Sequence, residues 1–351
     1  MNGSIFDLVT AQNVVAYWLT KNVNEQPLLG ETLFPYQREI GIKLDWIKGA
    51  SDQPVALRLS AYDSKAIRRD REGIEQYTTK MPFFKESIYI DEELRQQLNT
   101  LLQTSNTALI NQIVAKIFDK EIALIQAARI SLERMRMELV TSGTITLASN
   151  GQAYDYDFGI PADQKATVTT SWSNPNADII KDVNDIVTAM KAKGVAITRA
   201  ICNNSVIEDM KKNNSIRNQI YVLAGGAISS ISGAKALDFV KQETGVTFYS
   251  YDNVYKNEDG TVAKYVADDT VAFLPDGTLG ATHMGTTPEE SDLGTGATAA
   301  VVAVLPEGIA VTSYGTEDPV NVELKVSMVG MPSFERANEV YILDTEASGS
   351  E

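Results

Sequence analysis

The feature that most constrains this chain is a stretch from Thr107 to Val140 that contains neither proline nor glycine. Within it, apolar residues recur at the spacing that places them along one side of a helix. They are Leu109, Ile113, Ile117, Leu124, Ala128, Leu132, Met135 and Leu139, and Gly143 then supplies a stop signal. The stretch predicts one continuous helix about 50 Å long, which is enough to span a whole domain. A coiled coil is disfavoured because the apolar positions do not follow a strict heptad.

The residues before this helix predict an extended region that contains little helix. A short helix is predicted from Val14 to Leu19, inside an arm that otherwise shows no sustained period. Residues 39–47 and 54–62 alternate apolar and polar side chains, which predicts two strands. Asp91 is expected to cap a further helix that starts at Glu92.

The residues after the long helix predict alternating strands and helices. Residues 144–158 predict a hairpin, because Asn150 and Gly151 suit a type I′ turn between two alternating runs. The further predicted elements are a helix from Ala177 to Gly194, a strand from Val195 to Ile201, a helix opening near Ser205, strands within 244–252 and 270–277, a hairpin tip at 257–260, a Gly/Thr-rich loop from Thr278 to Thr298, and strand alternation after Asp318. The pattern from Ala177 onward predicts an α/β unit.

Composition excludes several classes of protein. The chain has 351 residues and a formal net charge of −15, so wide contact with phosphate backbones is electrostatically unfavourable. Its single cysteine, Cys202, excludes an internal disulfide and a cysteine-clustered metal site, and is expected to be a small buried residue. No stretch reaches the ~20 apolar residues of a membrane span, and the N-terminal residues lack signal-peptide features. We therefore expect a cytoplasmic location at synthesis and no membrane partner.

No set of residues predicts catalysis or cofactor binding. The sole histidine, His283, lies in the predicted Gly/Thr-rich loop, and no nucleophile motif accompanies it. Asp155 and Asp157 share one face of the predicted hairpin and could hold a divalent cation, but the solvent face of a hairpin explains the same alternation. Residues 223–237 are rich in glycine without a phosphate-binding spacing, so a flexible loop at a subunit contact is expected there. We expect no catalytic, cofactor or metal site.

Arg68, Arg69 and Arg71 lie close together after the second predicted strand, which is unexpected in so acidic a chain, and we call this group the arginine knot. The candidate contact residues in and around it are Arg58, Lys65, Arg68, Arg69, Asp70, Arg71 and Glu72. Because acids and bases alternate there, a solvated loop with weak ion pairs is the simplest interpretation. The alternative is a surface that meets another copy of the chain, since the arginine fork pairs bidentately with carboxylates.

The order of these parts resembles the major capsid proteins of tailed phages, in particular the lambda-like E-type major head protein family. The segments that carry the resemblance are the helix exit and hairpin (AARISLERMRMELVTSGTITL and YDYDFG), SWSNPNADII with Trp172, Pro175 and Asp178, and the closing DPVNVELKVSMVGMPSFERANEVYILD. The resemblance covers nearly the whole chain and implies the Hong Kong 97 capsid fold, which is of the α+β class. It implies an N-terminal arm (1–44), an E-loop (45–86), a P-domain with the long helix as its spine (87–176), an axial A-domain (177–310), a P-domain strand return (311–344) and a disordered tail (345–351).

The function implied by the resemblance is self-assembly without catalysis. Pentamers and hexamers of one chain would form an icosahedral shell around packaged double-stranded DNA, with no sequence-specific DNA binding. A separate scaffolding protein, a portal and a decoration protein are the further partners implied, with assembly in the host cytoplasm and a final place in the virion. The E-loop would lie over a neighbouring copy, which favours the contact role of the arginine knot. The alternatives are an encapsulin-like cargo shell of the same fold and a metal-dependent enzyme that uses Asp155 and Asp157.

Overall fold

The computed structural model describes residues 9–21, 27–47, 76–90, 92–104, 107–224, 231–293, 301–317 and 320–347. The chain divides into two compact units. The first comprises Met1–Asp45, Thr78–Arg136 and Ala281–Ser333, and the second comprises Trp46–Tyr77, Met137–Gly280 and Phe334–Glu351.

Helices occur in both units. In chain order they are α1 (Ala11–Lys21), α2 (Leu29–Leu33), α3 (Glu92–Thr104), α4 (Thr107–Ser142), α5 (Ile179–Ala192), α6 (Asn204–Lys212), α7 (Asn214–Ala224) and α8 (Gly233–Thr244). Short turns of 3-10 helix span Ala162–Gln164 and Ala337–Glu339, and a π-helical turn spans Glu289–Leu293. Among the described residues, no helix combines the length and the apolar character that a membrane crossing requires.

The strands are mostly short. In chain order they are β1 (Tyr36–Arg38), β2 (Lys43–Ile47), β3 (Gln76–Lys80), β4 (Phe83–Tyr89), β5 (Thr144–Ser149), β6 (Gln152–Asp157), β7 (Lys165–Thr167), β8 (Ile197–Cys202), β9 (Thr247–Ser250), β10 (Val254–Lys256), β11 (Val262–Lys264), β12 (Thr270–Pro275), β13 (Thr282–Met284), β14 (Val301–Val304), β15 (Ala310–Glu317), β16 (Val320–Pro332) and β17 (Tyr341–Asp344).

The long helix predicted from the sequence is confirmed. Helix α4 runs without interruption from Thr107 to Ser142 and ends at Gly143, whose φ of +79° suits glycine at a helix end. Its buried side chains fall at helical spacing and include Ile117, Ile125, Leu132 and Leu139. The short helix predicted near the N-terminus is also confirmed, as α1, where Ala11, Val14 and Trp18 lie on one buried face. Asp91, the expected cap of α3, lies outside the described residues.

The sheet of the first unit is built around the long strand β16. The strand order is β1-β13-β16-β15-β14, and β4 pairs with β16 as well. Strand β15 pairs antiparallel along residues 320–327 of β16, and β4 pairs antiparallel along residues 323–329. Strand β1 joins β13 in parallel, with Gln37 opposite His283. The strand alternation predicted near the C-terminus is therefore confirmed, and β16 forms the centre of this sheet.

The second unit contains the predicted α/β segment. Its sheet has the order β7-β17-β12-β8-β9, with β8 and β9 parallel and helices α6 to α8 between them in sequence. One hydrophobic core joins residues of this sheet, such as Phe248 and Phe273, to Val183, Met190 and Phe239 on the helices. The prediction of alternating helices and strands from Ala177 onward is confirmed.

Two hairpins of the second unit follow local turn rules. Strands β5 and β6 pair antiparallel around Asn150 and Gly151, whose φ angles of 49° and 72° are those of the predicted type I′ turn. Strands β10 and β11 pair around the predicted tip that contains Gly260, with Val254 opposite Lys264. Both hairpin predictions are confirmed.

Several expectations from the sequence are wrong. Residues 39–42 form a turn rather than a strand, and β2 begins only at Lys43. The region from Thr278 contains β13 and the π-helical turn, because pairing with β1 and β16 orders it despite its Gly/Thr composition. Gly233 begins helix α8, so part of the expected glycine-rich loop is helical. Thr345 is buried and its N–H donates to the carbonyl of Asp269 at 2.7 Å, so the expected disordered tail does not begin there.

Candidate functional site

The predicted contact residues fall in a part of the chain that the structure does not describe. Arg58, Lys65, Arg68, Arg69, Asp70, Arg71 and Glu72 all lie within residues 48–75, as does the second predicted strand. The strands on either side are described, and β2 and β3 pair with each other. The described residues on either side of this segment therefore belong to two paired strands. The contact role of the seven residues stays a prediction.

A buried ionic cluster holds the N-terminal segment that contains α2 and β1 to the long helix. The Arg129 guanidinium pairs with Glu31 at 2.9 Å, and Arg136, which is fully buried, pairs with Glu133 at 3.5 Å. The Nε of Arg136 donates to the hydroxyl of Thr282 at 2.9 Å. Breaking a buried ion pair by removing one partner is strongly destabilising, because the other charge is left without compensation. The cluster therefore fixes α2 and β13 on α4.

The ring of Tyr36 completes this cluster. The Arg136 guanidinium carbon lies 4.6 Å from the ring centroid, a cation-π distance, and the Tyr36 hydroxyl donates to Glu31 at 3.2 Å. Burial raises the pKa of Tyr36, although the charge of Arg136 opposes the shift. The phenol therefore stays neutral and serves as a donor to Glu31. This cluster is structural, since its charged groups bond to one another, to the Thr282 hydroxyl and to the N–H of Gly30, and only Nη2 of Arg136 is left without a hydrogen-bond partner among the described residues of the cluster.

His283 has partners that sequence patterns did not reveal. Its Nδ1 lies 3.0 Å from Oε1 of Glu39, and its Nε2 lies 3.0 Å from Oγ of Ser333. A serine, a histidine and a carboxylate in this order have the connectivity of a hydrolytic triad. However, Ser333 has no exposed surface, and its hydroxyl also bonds to the main chain of Ala281. A substrate cannot reach the hydroxyl in this arrangement, so the three residues tie β13 to the residues that directly follow β1 and β16.

The acidic pair on the hairpin has local partners. Asp155 and Asp157 are both exposed on β6. Asp155 accepts a hydrogen bond from the Thr146 hydroxyl at 3.4 Å, and Asp157 accepts one from the N–H of Gly159 at 2.8 Å. In the part of the chain that the structure describes, no three His, Cys, Asp or Glu residues are grouped so that they could hold a metal ion. The arrangement matches the solvent face of a hairpin.

The residues that carried the resemblance hold the second unit together. Trp172 is buried, and its Nε1 donates to Asp182 at 2.9 Å. Asp178 caps α5 by accepting the N–H of Lys181 at 3.3 Å. Cys202 is buried, as expected, and burial raises the pKa of its thiol to about 12, which makes it unreactive at neutral pH. These side chains pack and cap, and none of them is arranged for chemistry.

Comparisons with known proteins also indicate a protein with a structural role. A family model described as phage major capsid protein E matches residues 11–345. Comparison with curated protein sequences finds no significant match.

Solved structures of phage proteins share the fold at low sequence identity. A phage-related protein of Bordetella bronchiseptica RB50 is similar with a TM-score of 0.54 and 13% identity, over 95% of this chain and 98% of that chain. A prophage protein of E. coli CFT073, described as a capsid protein, is similar with a TM-score of 0.53 and 16% identity, over 77% and 79% of the two chains. A chain of the cyanophage A-1(L) capsid has a TM-score of 0.50 and 10% identity, over 92% and 93%.

The comparison with solved structures tests the predicted fold, and the family match tests the predicted function. The structural likeness confirms the predicted α+β capsid fold of the Hong Kong 97 type. The family match supports the phage head over the cargo shell. Because that match extends from α1 to the end of β17, both compact units are included. This chain belongs to the phage major capsid protein E family and is a structural protein of the phage capsid.

Proposed function

We propose that this chain forms the icosahedral head of a tailed phage as pentamers and hexamers, and that the closed shell encloses packaged double-stranded DNA. The observation that carries the proposal is the family match over residues 11–345. The net charge of −15 supports it, because a shell that does not bind phosphate lets DNA slide during packaging. The chain acts in the virion, and its role is assembly rather than catalysis.

We assign the parts of the chain by their place in a capsid subunit. The N-terminal arm is residues 1–44, the E-loop 45–86, the P-domain 87–176, the A-domain 177–310 and the P-domain strand return 311–344. The pairing of β2 with β3 supports the E-loop assignment, since a projecting loop needs a closed base. The uninterrupted helix α4 supports the spine of the P-domain.

The E-loop is proposed to carry the contact between copies. Arg58, Lys65, Arg68, Arg69, Asp70, Arg71 and Glu72 would pair with charged groups on a neighbouring subunit. The acidity of the chain supports this role, because every neighbour offers carboxylates to arginine. The alternation of positive and negative side chains in this segment also suits a partner surface that carries charges of both signs.

Further partners follow from assembly of a head. We propose a separate scaffolding protein, a portal and a decoration protein, with assembly in the host cytoplasm. The test is expression of the full-length chain alone and with its candidate scaffolding protein, followed by negative-stain electron microscopy. Closed icosahedral shells are the expected result. Open sheets, filaments or monomers under both conditions would contradict the proposed function.

A further inference from the structure

The turn at residues 39–42 is held in a single conformation through its backbone. Four hydrogen bonds to its main-chain atoms fix it: Glu39 N–H to the Met284 carbonyl (2.8 Å), Gly41 N–H to the Thr286 hydroxyl (3.4 Å), Thr286 N–H to the Gly41 carbonyl (3.0 Å) and Met81 N–H to the Ile42 carbonyl (3.0 Å). These partners come from β13, the residues that follow it and the link between β3 and β4. The turn is therefore positioned by segments that are far apart in sequence.

Two glycines make this docking possible. Gly41 has a φ of +93°, which is unfavourable for any residue with a side chain. A Cβ on Gly285 would collide with the carbonyl oxygen of Gly41 and would lie 2.7 Å from Cε of Met81. The turn and the segment after β13 thus approach each other as closely as their backbones allow.

This rigid turn presents apolar side chains to solvent. Ile40 is 99% exposed, and Ile42 and Phe83 are each 43% exposed. Phe83 lies two residues after Met81, the residue whose N–H bonds to Ile42. A single exposed apolar residue is ordinary, but a fully exposed isoleucine on a pinned backbone loses little conformational entropy when it is buried by a partner.

Basic side chains accompany the apolar ones. Lys43 follows Ile42 directly and is exposed, and the Lys85 Nζ lies 5.6 Å from the centroid of the Phe83 ring. We name Ile40, Ile42, Lys43, Phe83 and Lys85 the Ile40 patch. The one carboxylate on the turn itself, Glu39, is bonded to His283. The Ile40 patch is therefore apolar and positive on a chain whose net charge is −15.

We propose that the Ile40 patch is a contact surface for a second copy of this chain, which covers Ile40 with an acidic and partly apolar surface. This inference rests on the proposed shell function and adds a contact on the described part of the chain. Charge complementarity selects the occupant, because each neighbouring copy brings an excess of carboxylates to a positive patch. A scaffolding or decoration protein is the alternative occupant that the experiment must separate.

The first experiment compares substitutions at position 40 in the full-length chain. Ile40→Leu keeps the apolar contact, Ile40→Lys removes it but keeps the positive charge, and Ile40→Asp removes it and adds repulsion. Because Ile40 is fully exposed, all three should melt within a few degrees of wild type. Shell yield, measured by sedimentation velocity, should fall in the order Leu, Lys, Asp, with about a tenfold or greater loss for Asp. Equal yields for Lys and Asp overturn the charge argument, and wild-type yield for Asp overturns the contact.

The second experiment identifies the occupant with a thiol probe. Ile40→Cys adds an exposed thiol, whereas the native Cys202 is buried and unreactive. Maleimide labelling should be fast in free subunits and at least tenfold slower in shells made from this chain alone. Protection that appears only when the scaffolding or decoration protein is present overturns the assignment to a second copy. Shells in which the introduced thiol stays reactive overturn the patch but leave the shell function standing, and a chain that never assembles overturns both.

Discussion

The backbone N–H of Gly30 donates a 2.8 Å hydrogen bond to Oε1 of Glu133, which is fully buried in the long helix. A Cβ on Gly30 would lie 2.5 Å from Oε2 of the same carboxylate and 2.8 Å from Cδ of Arg136. The N-terminal segment can approach α4 this closely only because residue 30 has no side chain. This contact places the arm beside the buried ionic cluster and before the turn that carries Ile40.

We predict that Gly30→Ala destabilises the subunit. The added methyl group must displace a buried carboxylate or the stem of a buried arginine, at a cost of about 1–3 kcal/mol. Thermal melting of the isolated subunit should therefore shift downward by several degrees. Gly233→Ala is the matched control, because its methyl group would meet Ile207 at 3.3 Å at the start of a helix and should change the melting temperature little. Equal melting temperatures for Gly30→Ala and wild type would contradict the tight approach.

A second prediction concerns pH. Glu121 is buried in α4, and neither carboxylate oxygen has a hydrogen-bond partner among the described residues. Burial alone raises the pKa of Glu121 from its ordinary value of 4.5 to about 8. The neighbouring helix α1 contacts this part of α4 through Tyr17 and Phe118, and its one charged residue, Lys21, is paired with Asp119.

The sign of the effect follows from the raised pKa. Between pH 4.5 and about 8 the folded subunit keeps a proton on Glu121 that the unfolded chain has lost, so stability falls as pH rises through this window. The full loss is on the order of several kcal/mol and is complete above the folded pKa. Glu121→Gln should remove this loss, so the variant and wild type should unfold alike near pH 4.5 and diverge toward pH 8.5. Glu92→Gln controls for loss of a surface carboxylate, and parallel curves for all three proteins would show that Glu121 is not the cause.

Continuity of the long helix is the subject of a third prediction. Leu124→Pro removes a backbone donor near the middle of α4 and clashes with the preceding turn, which costs ~3 kcal/mol or more. Loss of soluble subunit and of assembly is expected. Leu124→Met keeps the backbone and most of the volume, so it should assemble normally. Assembling Leu124→Pro shells would show that an unbroken helix is not required.

The fourth prediction tests the arginine knot. Changing Arg68, Arg69 and Arg71 together to glutamate replaces attraction by like-charge repulsion at a contact that repeats on every subunit. Melting of the isolated subunit should change little, while electron microscopy should show capsomers or irregular aggregates instead of shells. The triple change to glutamine is the control, because it removes attraction without adding repulsion and should assemble at reduced yield. Normal shells that have lost DNA affinity would indicate a nucleic-acid role, and normal DNA-filled particles would indicate a solvated loop.

Several elements could be predicted from the sequence because residues close to one another along the chain determine them. The absence of proline and glycine from Thr107 to Val140, with apolar residues at helical spacing, was sufficient for α4. Asn150 and Gly151 were sufficient for a hairpin, since few residue pairs tolerate two positive φ angles. The order of such elements along the chain was enough to indicate the capsid family.

The contacts of His283, Gly30 and Ile40 depended on the tertiary structure. His283 lies in a strand because β1 pairs beside it and brings Glu39, which is 244 residues earlier, within 3.0 Å. Gly30 is required because Glu133 approaches it, and a glycine in isolation indicates only a flexible backbone. Ile40, in a run of alternating apolar residues, was predicted inside a strand, whereas bonds from Gly41 to Thr286 turn the chain there and leave its side chain in solvent. Helix and turn propensities act over a few residues, so the sequence alone determines helices and turns. Burial and strand pairing depend on which distant segments meet, and the tertiary structure alone decides which segments do so.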